Sequence, residues 1–396
     1  MKKLFRISTV PISLNILLKG QLRYLRQFYD VTAISGAGAE LDEVEEREGV
    51  KVHPIAMERR ISPLKDVMSL IRLYRYFKRE KPDIIHSITP KAGLLSMIAG
   101  KWAGVPVRMH TFTGLIFPHK DGHFQTLLIW MDRLLCRYAT HIYPEGKGVK
   151  EDLERYRITK KPLKILANGN VNGVDTEYFS RHAVAAESVE TLRHQLGIRD
   201  DDFVFVFVGR LVRDKGINEL VTAFKNLASA PLSDHSSADI SDLKLLLVGP
   251  LEQDLDPLHP ETLAMIESHP QIISVGFRQD VRPYFGVSDA LVFPSYREGF
   301  PNVVLQAGAM DLPSIVTNIN GCNEIIEEGK NGMVIPVKDT AALQQAMENM
   351  MRDTDLYHSM KVNSRPLIES RYRQEVVWHA LLEEYDRMRA SDLIKR

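Results

Sequence analysis

Short runs of apolar, β-branched and aromatic residues alternate along the chain with longer segments of helical spacing. In the first half the strand-length runs fall at residues 4–10, 31–35, 51–55, 83–88, 107–112, 141–144 and 163–167. After a polar break near residues 180–188 the rhythm restarts at 203–208, 243–248, 272–275, 290–293, 314–317 and 333–335. Runs that are apolar at nearly every position belong to strands buried on both faces, and such strands separated by helices read as βα units on a parallel sheet. The fold class is therefore α/β, with two Rossmann-like domains predicted at residues 1–180 and 181–370. Their junction falls between the turn Asn172-Gly173-Val174-Asp175 and about residue 200. A last helical pattern, with Val376, Val377, Leu381, Leu382 and Tyr385 apolar, occupies the segment 371–396. Residues 230–242, rich in Ser, Ala, Asp and Pro, read as an exposed loop.

Composition narrows the setting. A length of 396 residues suits two domains rather than one core. Cys136 and Cys322 are the only cysteines, too few for a disulfide scaffold, which fits a reduced, cytoplasmic protein. The opening Met1-Lys2-Lys3-Leu4-Phe5-Arg6 has the charge of a signal peptide, but Arg6, Pro11 and Asn15 interrupt its apolar run, so it is read as a first strand. No run of 18 uncharged apolar residues is present to span a bilayer. Net charge is zero, yet residues 1–180 carry 29 Lys and Arg against 19 Asp and Glu, and the remainder 22 against 32. A basic amino-terminal half suits an anionic lipid surface at the inner face of the membrane, or a lipid diphosphate acceptor.

Two segments carry candidate chemistry. Arg297-Glu298-Gly299-Phe300-Pro301-Asn302-Val303-Val304-Leu305-Gln306 sets an acidic side chain before a helix start and an amide two turns into it. Pro301 suits a first helical turn, Gly299 permits close backbone approach, and the free N–H groups of Asn302 and Val303 attract phosphate. Upstream, the strand at 203–208 runs into Gly209-Arg210-Leu211-Val212-Arg213-Asp214-Lys215-Gly216. Ligands of doubly wound sheets bind beyond the carboxyl ends of strands, where Arg210 as a planar fork and Lys215 as a point charge would neutralise a diphosphate. Read alone, Glu298 is equally an ordinary loop carboxylate, and Arg210 and Lys215 are solvated charges of the usual kind.

These motifs, with Asn168-Gly169, Val275-Gly276-Phe277, Val292-Phe293-Pro294-Ser295, Gly321, Glu324 and Gly332, resemble the retaining glycosyltransferases of family 4 in order and spacing over most of the chain. The segments His86-Ser87-Ile88-Thr89-Pro90-Lys91 and His110-Thr111-Phe112-Thr113-Gly114 are similar to those of bacterial members that assemble capsular and other surface polysaccharides. The resemblance implies the GT-B fold, with the carboxyl-terminal helix crossing back to the first domain and a site in the cleft between the domains. It implies that Arg210, Lys215, Gly209, Phe277, Phe300, Pro301, Asn302 and Val303 bind the nucleoside diphosphate, preferably UDP. Glu298 would bond hydroxyls of the transferred sugar and His110 would lie against it; His86 ranks below. Family members usually carry a second Glu eight residues after the first, for the ribose hydroxyls. Here Gln306 stands there, and an amide can still accept from one hydroxyl and donate to another.

His86 and His110 lack the paired spacing of a metal site, and the expectation is that no Asp-x-Asp triplet is present to hold a divalent cation against a nucleotide, so the expected transfer uses neither metal nor cofactor, only the nucleotide-sugar donor as substrate. The expected partners are that donor, a lipid-linked glycan acceptor and an anionic membrane, without nucleic acid. Basic residues Lys19, Arg23 and Arg26, and Arg59, Arg60, Lys65, Arg72, Arg75, Lys78 and Arg79, support the membrane. With Leu73, Tyr74, Tyr76 and Phe77 the second group forms an interfacial helix, or a surface helix whose apolar face lies in the core. The loop 11–20 lacks the paired glycines of many relatives, which implies a different acceptor. Rival readings are a sugar-nucleotide epimerase or phosphorylase of the same fold, an NAD-dependent oxidoreductase, which the missing Gly-x-Gly-x-x-Gly opposes, and a catalytically silent sugar-nucleotide-binding scaffold.

Overall fold

Twelve strands form among the described residues, most of them short apolar runs that a helical cover on both faces shields from water, while the edge strand Lys51–Pro54 stays partly exposed. The computed structural model describes residues 1–58, 62–229, 242–254 and 256–394. Arg59 and Arg60 of the basic cluster and residues 230–241 of the Ser-rich loop lie outside the described residues. The chain divides into two compact units, Met1–Gly173 together with Gln374–Arg396, and Val174–Arg373.

In the first unit, β1 (Lys3–Ile7), β2 (Asp30–Ser35), β3 (Lys51–Pro54), β4 (Ile84–Ser87), β5 (Val107–Phe112) and β6 (His141–Pro144) form a parallel sheet in the order β3-β2-β1-β4-β5-β6. In the second, β7 (Asp202–Val208), β8 (Asp242–Val248), β9 (Ile272–Gly276), β10 (Ala290–Phe293), β11 (Ser314–Thr317) and β12 (Gly332–Ile335) are parallel in the order β12-β11-β10-β7-β8-β9. Numbered within its own unit, each sheet is 3-2-1-4-5-6. Strand order reverses between β1 and β4 and between β7 and β10, and a crevice opens beyond the carboxyl ends of those strands. The Phe203-Val204-Phe205-Val206-Phe207 run of β7 is buried at the centre of its sheet, where each apolar side chain contributes about 1.5–3 kcal/mol.

Two strand expectations change. The first strand stops at Ile7 rather than residue 10, because Pro11 opens the helix Pro11–Leu17 and cannot donate to a ladder. Residues 163–167 form no strand. Leu163 makes a single parallel bridge to Ile142, and Ala167 turns into the left-handed region at φ 48°, which ends any extension.

The carboxyl-terminal helix, Gln374–Ile394, belongs to the first unit. Leu381, Leu382, Tyr385 and Met388 enter the core beside Leu4, Leu22 and Tyr29. Polar contacts fix its rotation: the Tyr385 hydroxyl meets Arg6 Nη1 at 2.9 Å and His86 Nδ1 at 2.7 Å, Tyr143 donates to Glu384 at 2.8 Å, and Trp378 Nε1 donates to Asn172 at 2.7 Å. The helix thus returns to the first unit after the chain has built the second. The turn that ends the first unit is closed by Asn170 Oδ1, which accepts from the N–H groups of Asn172 and Gly173.

On the helix Pro63–Glu80, Leu73 and Phe77 are buried in the core, so they are not a lipid-facing stripe.

Candidate functional site

In the second unit the loops after β7 and β10 converge because glycines let them. Gly216 sits at φ 72°, and a Cβ there would overlap the Pro294 carbonyl oxygen. Gly249, after β8, approaches Gly209 so closely that a side chain would overlap the Gly209 carbonyl. Gly321 at φ 76° packs on the backbone of Gly299 and Phe300 in the same way. No substitution for these three is free, since both conformation and space exclude a side chain.

The convergence joins two sequence candidates directly: Lys215 Nζ forms an ion pair with Glu298 Oε1. Both are mostly shielded, with side-chain exposures of 16 % and 18 %. Ser295 Oγ donates to the same carboxylate oxygen at 3.0 Å, and the Phe293 ring lies 5.6 Å from the ammonium. Cys322 is buried nearby, its thiol pushed well above the ordinary range by burial and then by the Glu298 charge. Neighbouring charges are paired more loosely at the surface. Arg210 meets Glu252 at 3.0 Å, Arg213 meets Asp256 at 2.9 Å and Arg297 meets Asp214 at 2.8 Å. Tyr296 donates to Glu219 at 2.6 Å; burial, then that carboxylate, raises its phenol.

The helix after this loop is Asn302–Ala309, with Pro301 in extended conformation as its cap. Pro301 therefore precedes the helix instead of opening it, and Gln306 lies just over one turn in, not two. The Pro301 cap offers no side-chain acceptor to the first N–H groups. Such an end carries partial positive charge and suits phosphate. Phe300 points away from solvent, against Tyr372 at 5.5 Å, which leaves only its backbone for a ligand. Val303 and Gln306 are half-buried and Val304 is core. Phe277, just past β9, is 71 % exposed, an open aromatic face on the far side of β8 from the ion pair.

Sequence reading passed over Ser295 as a ligand of Glu298 and over Glu252 as the partner of Arg210. Glu252 follows the Gly249-Pro250 turn at the end of β8, so the strand-end rule that found Arg210 could also have found it. The expectation that no Asp-x-Asp triplet is present needs correction: the chain contains two, at 200–202 and 254–256. Neither presents a free pair: Asp202 pairs with Arg199 at 3.2 Å, and Asp256 accepts from the Asp214 N–H at 2.6 Å and pairs with Arg213.

His110 lies in the first unit, inside β5 and fully buried. Its Nδ1 is 2.8 Å from Ser87 Oγ, its ring meets Phe112 edge-on, and Nε2 has no partner among the described residues. Burial pushes its pKa down to about 3, so it is a neutral hydrogen-bonding group near neutral pH. His86 differs: both ring nitrogens are occupied, by Tyr385 and Thr111, which makes it structural. Beside β1, β4 and β5 lies a pocket of about 560 Å³ walled by Thr9, Thr89, Lys91, Phe112, Gly114 and Asp132 among others.

Comparison with known proteins follows the same lines. Residues 188–366 match glycosyl transferases group 1, and residues 20–169 match the glycosyl transferase 4-like domain. The chain is 29 % identical over 387 residues to the capsular polysaccharide biosynthesis glycosyltransferase CapM of Staphylococcus aureus, covering 97 % of each. It is 31 % identical over 296 residues to the Escherichia coli UDP-Gal:alpha-D-GlcNAc-diphosphoundecaprenol alpha-1,3-galactosyltransferase, covering 74 % of this chain and 73 % of that one. The crystal structure of Anabaena HepE in complex with UDP superposes with a TM-score of 0.77 at 18 % identity, over 98 % of this chain and 100 % of that one, which shows a shared fold. Motif order, the paired six-stranded sheets, the returning terminal helix and these matches agree, and the chain belongs to the retaining glycosyltransferases of family 4, with the GT-B fold.

Proposed function

We propose that the protein transfers a sugar from a UDP-sugar, with retention, to a lipid-linked acceptor in the assembly of a surface polysaccharide. The observation that carries the reading is the Lys215–Glu298 pair at the crevice of the second sheet, beside the start of the helix Asn302–Ala309. A cation, a sugar-binding carboxylate and an anion-attracting helix end are what a nucleoside diphosphate sugar requires. The similarity to CapM over nearly the whole chain, the named acceptor of the Escherichia coli relative and the UDP held by HepE support the choice of donor and acceptor.

On this reading Lys215 and Arg210 neutralise the diphosphate, and the backbone of Asn302 and Val303 binds its distal phosphate. Glu298 bonds the sugar hydroxyls once Lys215 turns to the incoming phosphate, Gln306 bonds the ribose, and Phe277 offers its face to the base. The bond from the anomeric carbon to the diphosphate oxygen breaks, and the acceptor hydroxyl forms the new bond on the same face. Its proton passes to the departing phosphate oxygen. Stabilising that leaving group with fixed cations and N–H dipoles is the main catalytic term. No cofactor or metal enters this scheme.

The test is the melting temperature with UDP, GDP, ADP and NAD in the presence of EDTA, for wild type and Lys215→Ala. A ligand at 100 times its dissociation constant stabilises by about 2.7 kcal/mol. A shift with UDP alone, lost in the variant, is the expected result. A shift only with GDP or ADP changes the donor, a shift that needs Mg²⁺ ends the metal-free scheme, and a UDP shift without transfer favours the scaffold reading that Gln306 keeps open.

A further inference from the structure

Arg6 interrupts the apolar run of β1, and alternation along a strand decides where its side chain goes. Phe5 and Ile7 enter the core on one side of the first sheet and Leu4 the core on the other, so Arg6 shares the side of Leu4, where the terminal helix packs. Its register partner on β4 is His86. The result is a fully buried guanidinium in the middle of the sheet.

Only part of that guanidinium is satisfied. Nη1 donates to the Tyr385 hydroxyl at 2.9 Å, and a hydroxyl that accepts from arginine keeps its own proton for His86 Nδ1, at 2.7 Å. The neutral imidazole then carries its proton on Nε2 and donates to Thr111 Oγ1 at 2.8 Å. This relay leaves out Nε and Nη2, which have no partner among the described residues. Those two nitrogens are the edge with which a guanidinium meets two oxygens at once, as Arg282 meets Asp280 at 2.9 and 2.7 Å.

The charge is unmatched as well. Arg6 makes no ion pair among the described residues, and Glu384, next to Tyr385, is taken up by Tyr143, Lys164 and Arg387. Burial, and then the Arg6 charge, push the His86 pKa well below its ordinary range, so that charge reaches its neighbour unneutralised. A buried cation without a counter-charge is costly.

Arg6 also lines a cavity of about 20 Å³, with His86, Glu145, Asn170 and, from the terminal helix, Val377 and Leu381 in its wall. Such a space holds a water or one small ion. Water would supply acceptors without charge, whereas an anion supplies both. Glu145, the one carboxylate of the wall among the described residues, makes no ion pair with Arg6 and directly precedes the cap of the helix Lys147–Arg155, an end with partial positive charge.

We propose that this cavity binds a small monovalent anion with two oxygens, of the carboxylate or bicarbonate kind, on the free Nε and Nη2 edge of Arg6, and that the anion fastens β1 to the terminal helix. The site lies wholly in the first unit and stands apart from the donor site of the second.

The experiment follows the melting temperature of the full-length protein at fixed ionic strength while sodium gluconate, whose anion is too large for the cavity, is replaced by sodium formate or bicarbonate. Either small anion should raise it saturably, by about 3–6 °C at ten times its dissociation constant. Arg6→Met should lose the rise, and Arg6→Lys, which keeps the charge but not the paired N–H groups, should lose most of it. Glu145→Gln should tighten anion binding roughly fivefold or more, because it removes a like charge from the wall. The UDP-induced shift should persist in all three variants, which separates this site from the donor reading. Should the Arg6 variants not fold, the wild-type titration and Glu145→Gln decide, together with crystals grown in formate, where planar density within hydrogen-bond distance of Nε and Nη2 is expected. An equal rise in wild type and Arg6→Met would overturn the proposal, as would the absence of a saturable rise. So would a water on that edge in the formate crystals, or a Glu145→Gln variant that loses stability without binding the anion more tightly, since both mean that Arg6 reaches Glu145 through water.

Discussion

At the crevice of the second unit, the loops after β7 and β10 set Lys215 against Glu298 beside a helix start; in the first unit the corresponding loops after β1 and β4 wall an apolar pocket with Thr9, Thr89 and Pro90. The strand order is the same in both sheets. Lys91, in the first turn of the helix after β4, pairs with Asp66 at 2.8 Å, a carboxylate from the preceding helix, whereas Lys215 pairs with a carboxylate of the loop after β10 at the crevice itself. The titratable groups diverge as well. In the first unit His110 is driven to its neutral form and Asp132 is held towards its own, whereas the second gathers paired charges at its strand ends. A parallel 3-2-1-4-5-6 sheet therefore supplies a crevice, and half a dozen residues around it decide whether it is lined by paired charges or mostly by apolar side chains.

The largest effect should come from making the second crevice resemble the first. Lys215→Ala removes the ammonium and leaves Glu298 partly buried without its cation; kcat/KM for sugar transfer should fall about 10²–10³-fold, measured with saturating acceptor. A smaller loss would mean that Arg210 and the helix end carry the diphosphate.

Next is the geometry that distinguishes the loops. Gly216→Ala forces a side chain into the left-handed region and onto the Pro294 carbonyl, and should destabilise the second unit by about 3 kcal/mol or more in denaturant unfolding. Gly104→Ala in the first unit has φ 80° but open space around the new Cβ, and should cost about 1 kcal/mol.

For the first unit, His110→Asn should slow transfer about tenfold by removing one hydrogen bond, with no group of pKa near 6.5 in the wild-type rate profile. Stability should carry the histidine's signature instead. Between 6.5 and about 3 the unfolded chain binds a proton that native His110 refuses, so the melting temperature should fall as pH drops through that range, less steeply in the variant.

Asp132 has the opposite slope. Burial lifts its carboxyl from 3.8 to about 7, so the native state keeps a proton the unfolded chain has lost. Its contribution shrinks as pH rises from about 4 to 7, and Asp132→Asn should flatten that part of the melting profile. The smallest effect belongs to Gln306→Glu, expected to change the donor KM a few-fold and to leave kcat nearly unchanged, because amide and carboxylate both accept from a ribose hydroxyl.

Much of this was legible beforehand because it depends on local pattern. Continuous apolar runs such as 203–208 mean buried parallel strands, and a glycine-bracketed cationic loop after one of them marks a strand end. The family motifs assigned Arg210, Lys215 and Glu298 to one ligand. Other features were not legible because they depend on partners far away in sequence. The 163–167 run looks like a strand and is not one, since only Leu163 finds a neighbour. Phe300, a site candidate by motif, turns into the core. Nothing in the sequence around Ser295 announced a bond to Glu298, and the terminal helix is seated by residues such as Arg6, His86, Tyr143 and Asn172, more than 200 residues earlier.

The sequence by itself determined the two α/β repeats, the uneven charge and the family, because periodicity and motif spacing are properties of neighbours along the chain. Only the tertiary structure decided that Lys215 pairs with Glu298, that His110 is buried and neutral, and that Arg6 lies buried against the terminal helix. Pairing, desolvation and exposure depend on which distant segments pack together, and a linear pattern does not specify them.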